Sequence, residues 1–248
     1  LDPLDISLLV GAGLVAGVIN TLAGGGSLLS VPLLVFIGLP GDLANGTNRV
    51  GVLAQNATAI RGFTAAGVPS LGAALPLLAP VLAGSLVGAW AIAQLDAEGF
   101  ERVFGVVMIA LLVPTLRGGL ARRPDADERP PWPVPVRVAV FFAIGLYGGA
   151  IQAGVGLVVL VALQRAGLDL VRANAIKVVV IFALTAVAIP VFLVEGQIAW
   201  APAVCLVIGF AVGGRAGARL AVRGGERVIR PVMAVAVVAL AGRMLGLY

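Results

Sequence analysis

Gly13-Leu14-Val15-Ala16-Gly17-Val18-Ile19-Asn20-Thr21-Leu22-Ala23-Gly24-Gly25-Gly26-Ser27 is the stretch that decides the architecture. Apolar residues run up to a triple glycine and resume beyond it, so that an apolar segment extends over residues 6–38. As one helix, roughly 33 residues would run about 50 Å, against a hydrocarbon core of about 30 Å. Two full crossings would need about 40 residues. Three successive glycines weaken a helix and permit a sharp bend with close backbone approach. The economical reading is a broken helical hairpin, in which two half-helices enter the bilayer, meet at the glycines and return. Backbone outside a helix at that depth is tolerated only when buried in protein or lining a cavity.

The stretch recurs. Gly145-Leu146-Tyr147-Gly148-Gly149-Ala150-Ile151-Gln152-Ala153-Gly154-Val155-Gly156 repeats its order, with Gln152 answering Asn20, and Gly154 and Gly156 answering Gly24 and Gly26. At a constant offset, Gly38, Ala44, Asn45, Gly67, Gly84 and Gly88 return as Gly167, Ala173, Asn174, Gly196, Gly213 and Gly217. After a short deletion, Glu101-Arg102-Val103 reappears as Glu226-Arg227-Val228. Two homologous apolar units are the pattern of secondary transporters built from repeats, and the interface between the units is where a site belongs.

Composition agrees. Of 248 residues, 60% are hydrophobic and 12% charged, with a mean hydropathy of +1.08; a soluble domain carries about 25% charged residues. Lipid is therefore the solvent for most of the chain. Basic residues, which set the pI at 10.6, lie in short loops beside apolar spans, where topology rather than nucleic acid accounts for them. One cysteine, Cys205, excludes a disulfide framework and a multi-cysteine metal site. Histidine is absent, so the usual neutral-pH proton shuttle is missing. No cofactor or metal is expected.

Apolar segments fall at 6–38, 47–65, 71–94 and 98–116, then at 136–166, 174–194, 199–219 and 227–247. The expected organisation is a first transmembrane repeat over 1–116, a linker over 117–135 rich in Pro, Arg and Asp, and a second repeat over 136–248. If each hairpin makes no net crossing, each repeat crosses three times and the second is inverted. The linker and the turns near 61–70, 165–173 and 215–230 then share one side, which collects thirteen of the arginines, Arg61, Arg165 and Arg215 among them. The opposite side keeps Arg102 and Arg243 with most of the acids. The positive-inside rule makes the basic side cytoplasmic and puts both termini outside. The fold class is an all-α polytopic membrane protein of two inverted repeats, each a glycine-broken hairpin plus three transmembrane helices.

Three kinds of residue converge on the hairpins. Half-helices starting after Gly26 and Gly156 would aim positive dipole ends at the midplane, a ready anion site built from Gly24, Gly25, Gly26, Ser27, Gly154 and Gly156. Packing is the alternative use of glycine, and it is the reading for the isolated Gly84, Gly88, Gly213 and Gly217. Amides and hydroxyls follow: Asn20 and Gln152 before the breaks, Asn45, Thr47, Asn48 and Asn174 entering the next helices, where the paired asparagines could equally be N-caps. Two cations, Arg49 and Lys177, sit a few residues further on, inside apolar helices with no acid nearby but Asp42 and Asp169. An ionisable residue inside a span is a functional candidate, with snorkelling to the headgroups as its alternative.

From Asn20 to Arg49 the chain resembles the TauE/SafE sulfite exporter family. The carriers of the likeness are Gly13 to Gly17, Gly24-Gly25-Gly26-Ser27, Pro32, Gly38 and Ala44-Asn45-Gly46-Thr47-Asn48; in the second half the pattern thins to Gly154-Val155-Gly156 and Ala173-Asn174-Ala175. The resemblance implies a bacterial inner-membrane transporter, with room for a homodimer, that exports small sulfur-containing anions such as sulfite or organosulfonates. The expected mechanism is alternating access between the repeats, with the residues above as binding site. An anion channel of the same fold is the alternative. An intramembrane lipid-phosphate hydrolase would need a nucleophile with a base, or paired carboxylates holding a metal, and neither is at hand. With no histidine and no acidic residue deep in a span, a side-chain proton carrier is not evident; the expectation is that any proton travels with the substrate, as bisulfite, or that transport is uncoupled.

Overall fold

The computed structural model describes residues 2–96, 98–100, 102–103, 132–225, 227–229 and 231–232. Linker residues 117–131 and most of the expected closing spans 98–116 and 227–247 lie outside these. Eight helices are bounded among the described residues: α1 (Pro3–Leu22), α2 (Ser27–Phe36), α3 (Gly41–Ala65), α4 (Leu71–Ala93), α5 (Val134–Ala150), α6 (Val155–Arg165), α7 (Leu170–Val194) and α8 (Trp200–Gly224).

Local chemistry sets their ends. Pro3 opens α1, where its missing N–H costs nothing, and the Asp5 carboxylate accepts the Asp2 N–H at 3.2 Å. Asp169 caps α7 by accepting the N–H groups of Val171 and Arg172, each at 3.0 Å. At the breaks the chain turns through left-handed backbone, φ +84° at Gly24 and +73° at Gly154. Gln152, φ +63°, is the one non-glycine residue with positive φ among the described residues.

Four helices, α1, α4, α7 and α8, are 20, 23, 25 and 25 residues long and apolar enough to cross a membrane. Helix α3 matches them at 25 residues, but its polar side chains Asn45, Thr47, Asn48, Arg49, Gln55 and Asn56 are buried against protein. Outward, α8 shows Val204, Ile208 and Val212, an apolar stripe suited to lipid.

The breaks reverse the chain. Gly26 lies so close against Ala16 and Asn20 of α1 that a Cβ there would overlap the Ala16 carbonyl. From that point α2 runs back beside α1, its Ser27 and Ser30 against Asn48 of α3. The arms differ in length: α1 has 20 residues to the 10 of α2, and α5 has 17 to the 11 of α6. Each first arm lies against a long partner helix, α8 for α1 and α4 for α5.

Those partners come from the other half of the chain. Gly13 and Gly17 of α1 face Gly209 and Gly213 of α8, where added Cβ atoms would sit 3.3 and 3.1 Å from the opposing Cα atoms. Gly84 and Gly88 of α4 abut Phe142 and Leu146 of α5, while Gly145 and Gly149 abut Val81 and Ser85. Contacts ascend together in both pairs, so α1 runs parallel to α8 and α4 parallel to α5. Small residues permit this backbone proximity, the main source of helix association in lipid. The contacts also correct the sequence alignment by one helical turn. In packing, Gly84 and Gly88 correspond to Gly209 and Gly213, because both pairs meet the same two turns of the first hairpin arm.

Candidate functional site at the glycine breaks

The two breaks touch each other. Gly24 and Gly156 stand backbone to backbone, and a Cβ on Gly24 would lie 2.7 Å from Leu157 N. Helices ending inside a protein leave their last carbonyls without water, and those carbonyls need donors. The donors come from the helix after the break, and each serves the opposite half of the chain.

At the end of α5, Asn45 Nδ2 donates to Ala150 O at 3.0 Å. Arg49, one turn on along α3, donates from its two terminal nitrogens to Gly148 O at 3.0 Å and Ala150 O at 2.8 Å. The guanidinium lies 4.3 Å from the ring centre of Phe192 on α7, a cation–π contact. At the end of α1 the roles pass to α7. Asn174 Nδ2 donates to Leu22 O at 3.0 Å, and Lys177 Nζ donates to Asn20 O at 2.9 Å, Thr21 O at 2.7 Å and Asn174 Oδ1 at 2.7 Å. Both cations meet the negative ends of helix dipoles. Both are 0% exposed, which excludes snorkelling. Asn45 and Asn174 are not N-caps; they lie inside their helices and cap another helix's end.

The cations differ in spare capacity. Lysine has three N–H donors, and Lys177 uses all three within the protein. A guanidinium has five; Arg49 makes two hydrogen bonds, and its buried Nε has no partner. Neither pairs with a carboxylate among the described residues.

Amides line the first break. Asn20 Nδ2 donates to Gln55 Oε1 at 2.6 Å, Gln55 Nε2 donates to Thr21 Oγ1 at 2.6 Å, and Gly26 N donates to Asn20 Oδ1 at 3.3 Å. Asn48 binds Ser27 Oγ at 3.1 Å and accepts from Ser30 Oγ at 2.6 Å. At the second break the Gln152 amide meets Thr185 Oγ1 at 2.6 Å, which leaves its other polar atom buried and unpartnered. Tyr147 OH donates to Ala153 O, so this tyrosine braces the break.

Asn20, Gly24, Gly25, Gly26, Ser27 and Asn48 thus gather at the first break, with Asn174 and Lys177 on its flank. Asn45, Arg49, Gln152 and Gly154 gather at the second, and Gly156 joins the two. Thr47 goes elsewhere: its hydroxyl accepts the Ala199 N–H at 2.9 Å, capping the start of α8. Sequence reasoning passed over Thr21, Thr185 and Phe192. Gln55 was visible as an amide in a membrane-length helix, while nothing local marked Phe192.

A family model described as "Sulfite exporter TauE/SafE" matches residues 9–244. The chain belongs to the TauE/SafE family. Relatives include the "Probable membrane transporter protein ORF9" of a Sinorhizobium species, 26% identical over 97% of this chain and 92% of that protein. The "Probable membrane transporter protein" of Haemophilus influenzae is 26% identical over 93% of this chain and 90% of its own length. The "Probable membrane transporter protein YfcA" of Escherichia coli strain K12 is 24% identical over 98% and 91%. No solved structure matches. Family, relatives and apolar helices together make this TauE/SafE chain a multi-pass membrane transporter.

Proposed function

We propose that the chain is a secondary transporter of small sulfur oxyanions, sulfite or organosulfonates, that binds them where the two glycine breaks meet. The observation that carries this reading is Arg49: a fully buried cation with no carboxylate partner among the described residues and an unpartnered Nε, held at the junction of the two halves. A buried, uncompensated positive charge is costly and is relieved by an anion. The glycine backbone of both breaks supplies the neutral part of the site. No chemical conversion belongs to this reading.

The halves, 1–116 and 136–248 around the linker 117–135, are taken as inverted repeats that rock against each other for alternating access. Helix directions support the inversion. Helices α1, α3 and α8 run one way, since Thr58 of α3 donates to Ala211 O while Gly51 and Gly62 of α3 face Phe210 and Ala218. Helices α4, α5 and α7 run the other way, with Arg49 near the start of α3 over Phe192 near the end of α7. The exposed Arg61, Arg165, Arg172, Arg215, Arg219 and Arg223 then share one end of the bundle, and Asp2, Asp96, Glu98 and Glu195 share the other. By the positive-inside rule the arginine end is cytoplasmic, in the inner membrane, with the termini outside.

Thermal unfolding of purified protein with sulfite, thiosulfate, sulfate, sulfoacetate or taurine tests the substrate class, because a ligand stabilises the state that binds it. Saturable counterflow of the stabilising anion in proteoliposomes completes the test. Arg49→Lys keeps a cation for the α5 carbonyls but loses the Nε donor; the folded variant should lose the anion-dependent stabilisation and the counterflow. Wild-type counterflow in that variant, or no response of the native protein to any of these anions, overturns the reading.

A further inference from the structure

Lys177 is the only lysine in the chain; every other basic side chain is arginine, and histidine is absent. Arginine does not give up its proton in proteins, whereas a lysine amine can. The two halves give the same capping task to Arg49 at one break and to Lys177 at the other. A permanent charge performs that task at the first of these positions. What distinguishes the second is a cation able to become neutral.

The hydrogen-bond partners of Lys177 among the described residues are uncharged. Its three acceptors are the Asn20 and Thr21 carbonyls and Asn174 Oδ1. Among the described residues no ionisable side chain bonds to it, and Asp169 at the start of its own helix is engaged by the N–H groups of Val171 and Arg172. Helix α4 has no ionisable side chain; Asp5 on α1 and Asp42 on α3 lie roughly 20 Å along their helices from Asn20 and from its partner Gln55. Arg49 is engaged at the other break, Tyr147 of α5 donates to Ala153 O, and Arg61, Arg165, Arg172, Arg215, Arg219 and Arg223 are exposed. An ammonium satisfies three oxygens, while a neutral amine has two N–H groups and a lone pair. Losing the proton therefore removes one of these three bonds; Asn20 O keeps the Gly24 N–H at 2.8 Å, so the cost falls where Thr21 O or Asn174 Oδ1 loses its donor, and it loosens the end of α1 from α7.

We infer that Lys177 is the proton carrier of the transport cycle, its ammonium locking the first glycine break to the second half of the chain and proton release unlocking it. The balance is one proton per cycle: the ammonium gives H⁺ to water on the side where the break opens, and the amine recovers H⁺ from water on the other side. An anion held between the breaks favours the ammonium over the amine, so anion and proton binding are reciprocally linked. The identity of the anion rests on the transport reading above; the exchange of a proton at Lys177 does not.

A single lysine makes the test direct. Protein grown with [15Nζ]lysine carries one side-chain label, and in nanodiscs its resonance should pass from ammonium to amine within the pH range over which flux occurs. Adding sulfite should displace that transition. A nitrogen that stays an ammonium throughout that range overturns the inference. In proteoliposomes, Lys177→Arg should lower the ratio of pH-gradient-driven accumulation to counterflow by about tenfold or more, and an unchanged ratio overturns it as well. Where the variant does not fold or counterflow is undetectable, the resonance of the native protein still decides. If native protein shows no sulfite counterflow, the sulfur-anion reading fails while the lysine titration continues to test the proton site.

Discussion

Replacing Gly24 with alanine separates the two things that glycine does at the break. The backbone there is left-handed, φ +84°, which costs a non-glycine residue about 1–2 kcal/mol. The added Cβ would also overlap Gly156 and lie 2.7 Å from Leu157 N. Carbon contacts relax at about 3.5–4.0 Å, so the breaks would have to part by about 1 Å, an over-packing cost of roughly 1–3 kcal/mol. Gly24→Ala should therefore destabilise by about 2–5 kcal/mol in all. Gly38 isolates the first term, because its φ is +98° but a Cβ there meets nothing within 4 Å; Gly38→Ala should cost only the strain of about 1–2 kcal/mol and leave transport intact. Gly156→Ala isolates the second, since Gly156 sits in α6 with helical backbone and its Cβ would strike Gly24. Unfolding by SDS in mixed micelles gives the three stabilities, and anion counterflow gives the functional readout. If Gly24→Ala costs no more than Gly38→Ala, the contact between the breaks is not what requires glycine, and the reasoning fails.

Asn174→Ala removes the donor to Leu22 O and frees one Lys177 N–H, so it should destabilise by about 1–3 kcal/mol. Asn45→Ala should cost less, because Ala150 O keeps the Arg49 donor at 2.8 Å; the same micelle assay ranks the pair. Arg102→Ala should be nearly silent in both stability and transport. Its ion pair with Glu98 is 2.5 Å long but 77% and 72% exposed, and such pairs contribute about 0–1 kcal/mol.

The broken hairpins could be read locally because glycine acts on its own backbone: three in succession bend a helix whatever surrounds them. Gly84 and Gly88 of α4 and Gly213 and Gly217 of α8 were legible as packing glycines, whereas the partners of α4 and α8 on α5 and α1 were not. Gly84 and Gly88 were aligned with Gly213 and Gly217 by sequence, yet their contact equivalents are Gly209 and Gly213. A sliding offset of one turn preserves helical periodicity and is invisible without the partner helix. Thr47 and Asn48 make the same point at finer scale. Neighbours on a helix point about 100° apart, so Asn48 reaches the first break while Thr47 caps α8.

The amino-acid order by itself determined that the chain is an apolar, duplicated, helical membrane protein with two interrupted helices and two stranded cations. Only the tertiary structure decided what the cations do. Each crosses to the opposite half and closes the carbonyl end of a helix that stops inside the protein, Lys177 with every N–H engaged and Arg49 with donors to spare. The reason is physical: an orphan carbonyl can be filled by any donor brought within 3 Å or so. Proximity across more than a hundred residues is a property of how two halves dock, which no local pattern encodes.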